Sequence, residues 1–220
     1  MKKSTPAQFA IRILIYCLGL MLIAFGVALS VNSDLGVSPV NSLPYVISVI
    51  LGKPMGPIVT INFCLYIVLQ AIILRREFRL INLTQIIFST LFGYFVDFAK
   101  LMVGDFVLPG YFGRLVMLAV SIVVIALGVL LYMDVQLMPM PMEGLSSTIA
   151  IKMNKPFPTM KIVIDTLVML VSLVLSLVFL RRLDGIREGT IISALTIGAV
   201  VSILKKPISP WVQKICFGKA

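Results

Sequence analysis

Six apolar runs, at about residues 10–31, 57–75, 80–102, 114–133, 159–180 and 187–204, are each long enough to cross roughly 30 Å of hydrocarbon as a helix. In lipid a backbone must satisfy its own polar groups, so runs of this length and composition predict helices. With 60% hydrophobic residues, 13% charged residues and a mean hydropathy of +1.09, the chain carries too much apolar surface for a water-soluble domain. The expected fold class is an all-α polytopic membrane protein, with the lipid bilayer as its first partner. Its net charge of +10 does not point to nucleic acid, because Lys and Arg sit at the ends of apolar runs and form no aromatic-interleaved patch.

A duplication organises the runs. Gly26 aligns with Gly128, and the offset of 128 − 26 = 102 carries Leu35 onto Leu137, Pro39 onto Pro141, Asn41 onto Glu143 and Lys53-Pro54 onto Lys155-Pro156. The match resumes at an offset of 105, with Gly93 on Gly198. Two pseudo-symmetric repeats, about 12–100 and 114–206, thus fill a single membrane domain of residues 1–220. Each repeat has three long runs and one shorter piece, about 38–51 and 141–153. Pro39 and Pro141 suit the first position of a helix, where the missing N–H is not needed. Roughly fourteen helical residues reach only about 21 Å, so these pieces read as broken or re-entrant helices. Pro44, with Ser146 at its counterpart, further weakens the first of them.

If the short pieces do not cross, each repeat has an odd number of spans and the second is inverted relative to the first. Thirteen of the 19 Lys and Arg residues then lie on the cytoplasmic side and six outside. Letting both short pieces cross gives eight spans and parallel repeats with the same charge count, so charge does not separate the two. Both arrangements keep the N- and C-termini cytoplasmic; helix length favours the inverted six-span arrangement. The first run, preceded by Lys2-Lys3, is too long for a cleavable signal and reads as a retained span. Small-residue pairs four apart, Ala24/Ala28, Ser89/Gly93 and Ala194/Gly198, mark expected helix contacts.

Polar residues cluster at the short pieces: Asp34, Ser38 and Asn41 in the first, Gln136, Glu143 and Ser147 in the second. An ionisable group in lipid needs a partner, a cavity or an exit to water. Glu143 has apolar flanks, and opposite Asn41 across a pseudo-twofold axis it could bind a cation or an amine-bearing solute. It could equally be a helix-start acid that complements the dipole, just as Asp34 could be a wet loop carboxylate. Asp165 lies inside a span four residues after Lys161, a spacing that explains it as a local pair; Asp97 and Lys100 offer the same explanation. Met138, Met140 and Met142 fit flexible apolar lining better than a soft-metal site.

Cys17, Cys64 and Cys216 have no paired spacing and there is no histidine, so neither a disulfide framework nor a metal site is indicated. Without a phosphate-cradling glycine loop or a nucleophile–histidine pair, the chain carries no enzyme signature. No cofactor is expected.

The stretch GVALSVNSDLGVSP at 26–39 resembles the first-repeat signature of the YczE-like group of small bacterial membrane proteins, similar in style to the YitT family. Its echo GVLLYMDVQLMP at 128–139 is similar to that group's second signature. This chain departs from the group at Asn41, where an acid is common, and at Met138-Pro139-Met140, which replaces a glycine-rich entry. The resemblance implies a multi-pass protein of the bacterial cytoplasmic membrane and supplies no substrate.

Together these features predict a small secondary transporter for an organic solute, with a midplane site between the repeats. The alternative is a non-transporting binding or scaffold subunit of a larger membrane complex. A small-molecule substrate is the expected partner, and a homodimer is compatible with the chain.

Overall fold

The computed structural model describes residues 6–218. Lys2, Lys3 and Lys219, which enter the charge count above, lie outside the described residues. Eight α-helices and no strand are found among the described residues: α1 (Pro6–Ser33), α2 (Pro39–Leu51), α3 (Met55–Leu74), α4 (Thr84–Val103), α5 (Gly110–Asp134), α6 (Pro141–Lys152), α7 (Phe157–Leu175) and α8 (Glu188–Phe217). Six helical stretches, α1, Met55–Glu77, Leu80–Val103, α5, Phe157–Leu180 and α8, are long and apolar enough to cross a membrane. The short α2 and α6 are not.

Both short helices start on proline, as the missing N–H allows. Pro44 removes one donor from α2 without ending it. The helix instead stops at Gly52, whose left-handed φ of 59° lets its N–H close onto the Ser48 and Val49 carbonyls. Residue 154, 102 positions on, is Asn154 with φ 51°; Asp34 and Gln136, also 102 apart, have φ 52° and 51°. The duplicated offset therefore recurs in backbone conformation at sites that L-residues seldom adopt.

The central seam, between α1 and α5, is built on close backbone approach. α1 and α5 pack antiparallel: Arg12 near the start of α1 donates to the carbonyls of Val135 and Gln136, both at 2.9 Å, while Asp34 just beyond its end pairs with Arg114 at 2.8 Å. Between these ends, a Cβ on Gly128 would lie 2.5 Å from the Gly19 carbonyl oxygen, and one on Gly26 would lie 3.0 Å from that of Ser121. Each contact has a mate with the two halves exchanged: 12 with 136 and 34 with 114, 19 with 128 and 26 with 121. A third such set joins α3 to α6 through Gln70 and Gly144, and α7 to α2 through Ser172 and Ser42, whose hydroxyls are 3.0 Å apart. Around this frame Tyr16, Leu20, Phe63, Phe92 and Met142 form the core.

The short helices return to the end of the bundle from which they start. Asp34, before α2, and Asn32, which donates to the Gly104 and Phe106 carbonyls, lie at one end. After α2, the Gly56 N–H donates to Asp97 at 2.7 Å, less than two turns from Gly104. At the other end α6 follows Gln136 and finishes at Lys152, paired with Glu77 at 2.8 Å.

Three expectations from sequence need correcting. Asp97 bonds the Gly56 backbone, a more direct anchor than Lys100 would provide. The run expected to end near 204 continues as α8 to Phe217 through Pro207 and Pro210. Packing outweighs the lost donors there: Ser209, Val212 and Cys216 form a buried face, and Phe217 stacks under the Arg12 guanidinium at 4.9 Å. Finally, Gly93 packs tightly on Gly56, whereas nothing lies within 4 Å of a Cβ built on Gly198. α3 and α4 form a seam that α7 and α8 do not repeat. The cause is local: the counterpart of Gly56 is Pro158 (56 + 102), which has no N–H to offer, and the counterpart of Asp97 is Ser202 (97 + 105). Gly93→Leu should consequently lower the melting temperature, since overpacking costs about 1–3 kcal/mol, while Gly198→Leu should melt like the parent.

Candidate functional site

A cavity of about 370 Å³ opens beside the start of α6, within the size range of small-molecule sites. Glu143, Gln136 and Ser147, three of the residues singled out from sequence, line it together. The rest of the wall is apolar and aromatic, from Tyr132, Leu137, Met138 and Phe157 among others. Met138 supplies lining as its type suggests; Met140 and Met142 are buried in the core.

The position of Glu143 follows from the anchoring of α6. Gln70 donates to the Pro141 carbonyl at 3.0 Å and to Gln85 at 3.3 Å, and a Cβ on Gly144 would lie 2.8 Å from the Gln70 oxygen. Glycine at 144 thus lets α6 start hard against α3, which aims the next-door side chain of Glu143 into the cavity. Its Oε1 lies 3.9 Å from Lys161 Nζ on α7, and the same ammonium sits 2.6 Å from Asp165 Oδ1. Tyr132 faces the carboxylate, whose Oε2 is buried with no hydrogen-bond partner. Glu143 lies outside the six spanning helices; burial pushes its carboxyl above the ordinary range, and the Lys161 ammonium pulls it back.

The other sequence candidates lie elsewhere. Ser38, just before α2, and Asn41, in its first turn, are buried; the Asn41 amide donates to the Ser38 hydroxyl at 3.1 Å and its Oδ1 has no partner. Neither lines the Glu143 cavity, so the direct Asn41–Glu143 apposition expected from sequence is not formed there. The two residues occupy corresponding positions on different short helices, α2 packed chiefly on α7 and α6 chiefly on α3, with each also touching the other long helix. Asp34 is exposed and clamped by Arg114 at 2.8 Å and Arg187 at 3.4 Å. Asp165 joins the site indirectly, through Lys161.

A second, much smaller pocket of about 10 Å³ lies at the opposite end. Subtracting 102 from six of the nine residues that line the large cavity gives six of the seven that line the small one: Tyr132 maps to Ser30, Met133 to Val31, Gln136 to Asp34, Met138 to Gly36, Pro139 to Val37 and Ser147 to Tyr45. Leu137, Glu143 and Phe157 have no counterpart there, and Gly185 has none in the large cavity. The difference in volume has a visible cause. Where the large cavity has Ser147, the small one holds the ring of Tyr45, packed so tightly on Gly185 that a Cβ there would overlap it.

Residues 10–206 match the family model DUF6198, a family of unknown function. The chain belongs to DUF6198. No curated protein and no solved structure matches it. The region that defines this DUF6198 protein spans both short helices and every residue of the two pockets. Within it, sequence reasoning overlooked Tyr132, Phe157 and Tyr45, and assigned Lys161 to Asp165 alone. Tyr45 and Ser147 could have been found from the duplication, as a bulky and a small residue at matched positions of the short helices.

Proposed function

We propose that this DUF6198 protein is a small secondary transporter of the bacterial cytoplasmic membrane, built from inverted repeats at about 12–100 and 114–206, with both termini cytoplasmic. It carries a cationic or amine-bearing organic solute through the Glu143 cavity, and its YczE-like sequence features belong to the same reading. The observation that carries it is the pair of matched pockets, one of about 370 Å³ at one end and one of about 10 Å³ at the other. Alternating access in repeat transporters requires two related arrangements around one site. The antiparallel α1–α5 seam, with its exchanged contacts, supports the inversion.

In this reading the halves exchange conformations. The shut end opens when Tyr45 leaves Gly185 and Asp34 leaves Arg114 and Arg187, while the Glu143 end closes. The two ends are held unequally: Arg114 meets a carboxylate, whereas its counterpart Arg12 meets backbone carbonyls and the face of Phe217. A rest state open at the Glu143 end follows.

The test uses purified protein in liposomes with no other subunit, and a labelled quaternary ammonium such as tetraethylammonium, which cannot cross as a neutral base. Saturable uptake is expected. In a background lacking Cys17, Cys64 and Cys216, Val37→Cys in the shut pocket should react with an impermeant thiol reagent faster when the solute is present. Uptake only with co-purified subunits would establish the scaffold reading instead. Absence of both uptake and Val37→Cys labelling would overturn transport.

A further inference from the structure

The charge beside the Glu143 cavity extends past the residues that line it. Three ionisable side chains form one group here: Glu143 from α6, which lines the cavity, with Lys161 and Asp165 from α7 behind it. Two carboxylates and one ammonium leave a net charge of −1. Of the other nearby charges, Lys152 and Glu77 pair with each other, and Arg12, bonded to the Val135 and Gln136 carbonyls, is opposite in sign to Asp134 beside them. Tyr66, 4% exposed and with its hydroxyl lacking a partner, lies near Asp165 and adds a polar but uncharged group.

The ammonium is shared unequally. At 2.6 Å Lys161 Nζ makes a charge-assisted hydrogen bond to Asp165, while at 3.9 Å from Glu143 it makes only a through-space attraction. Glu143 thus keeps one buried oxygen without a hydrogen-bond partner, in a wall where the other polar side chains, Gln136, Ser147 and the Tyr132 hydroxyl, are uncharged. One further positive charge completes the neutralisation; a second would be left buried and unpaired, which is strongly unfavourable.

We propose that Lys161 is a resident cation that sets the valence of this site, so that the cavity accepts organic monocations and refuses dications. This rests on the reading of the Glu143 cavity as a ligand site and adds the residue that determines its selectivity. The ligand's cationic head lies at Glu143 and its apolar body lies along Leu137, Met138 and Phe157. Removing the Lys161 ammonium vacates a position within reach of both carboxylates. A diamine can then place one ammonium there and the other in the cavity.

Binding of n-butylammonium and of 1,4-diaminobutane, two chains of equal length and different charge, is measured calorimetrically on the purified full-length protein. The parent should bind the monoamine roughly tenfold more tightly than the diamine, and Lys161→Met should reverse that order. Lys161→Arg, which keeps the charge, should retain the parent's order. A Lys161→Met protein that still prefers the monoamine would overturn the valence role while leaving the ligand site standing. A parent that binds neither amine would overturn the amine reading of the cavity, and the valence role with it. If Lys161→Met does not fold, Asp165→Asn takes its place: it brings the site to neutrality and should weaken n-butylammonium binding roughly tenfold. Unchanged binding by that variant would equally overturn the proposal.

Discussion

Replacing Gly128 by leucine should leave almost no folded, monodisperse protein. A Cβ at this position would stand 2.5 Å from the Gly19 carbonyl oxygen and 2.9 Å from the Ile23 nitrogen, both backbone atoms of α1. A clash with the tip of a side chain is relieved by a rotamer change; a clash with helical backbone is relieved only by moving the helix. Moving α1 would also pull Arg12 off Val135 and Gln136 and Asp34 off Arg114, the fastenings at the two ends of the seam. An effect of about 4 kcal/mol or more is expected, in the range reserved for core overpacking and broken networks. Thermal unfolding and size-exclusion profiles in detergent check it, with Gly198→Leu as the control whose added side chain meets open space. A Gly128→Leu protein that melts within a few degrees of the control would show that α1 and α5 do not approach as described.

The second large effect is on function. Glu143→Gln keeps the shape of the side chain and removes its charge, and because Lys161 keeps its shorter contact with Asp165, the fold should survive. Loss of one partner of a buried charge pair costs about 2 kcal/mol or more, so n-butylammonium should bind roughly thirtyfold more weakly and quaternary ammonium uptake should cease. Stabilisation by the amine in thermal melts gives an independent reading, since a ligand raises stability by mass action. Asp34→Asn should leave amine binding by the rest state unchanged, because Asp34 is exposed at the opposite end with Arg114 and Arg187. If Glu143→Gln binds and transports like the parent, the carboxylate serves only the start of α6 and the site assignment fails.

Much of this architecture was legible in the chain because its signals are local. Apolar runs of about twenty residues announce spanning helices whatever surrounds them. Pro39 and Pro141 announce helix starts because the ring lacks a donor. The 102-residue offset foretold matched backbone at Asp34 and Gln136, and it placed Gln136, Glu143 and Ser147 on one short stretch, where a common cavity is geometrically natural. Lys161 and Asp165 could be paired from their spacing alone, since residues four apart on a helix are neighbours.

What the chain did not disclose depends on contacts between distant segments. The small pair Ala24/Ala28 drew attention on α1, yet the closest approach is at Gly19 and Gly128, because the crossing of two helices depends on both partners. Gly93 and Gly198 look alike in sequence and differ in space, since Gly56 can donate to Asp97 and Pro158 cannot donate at all. Composition and run length determined that this protein is helical, with six stretches long and apolar enough to cross a membrane, and the 102-residue offset marked the corresponding positions of its short helices. Only the tertiary structure decided which of the two corresponding pockets is large. That choice turns on whether Tyr45 or Ser147 meets the opposing wall, a matter of packed volume that no local sequence preference encodes.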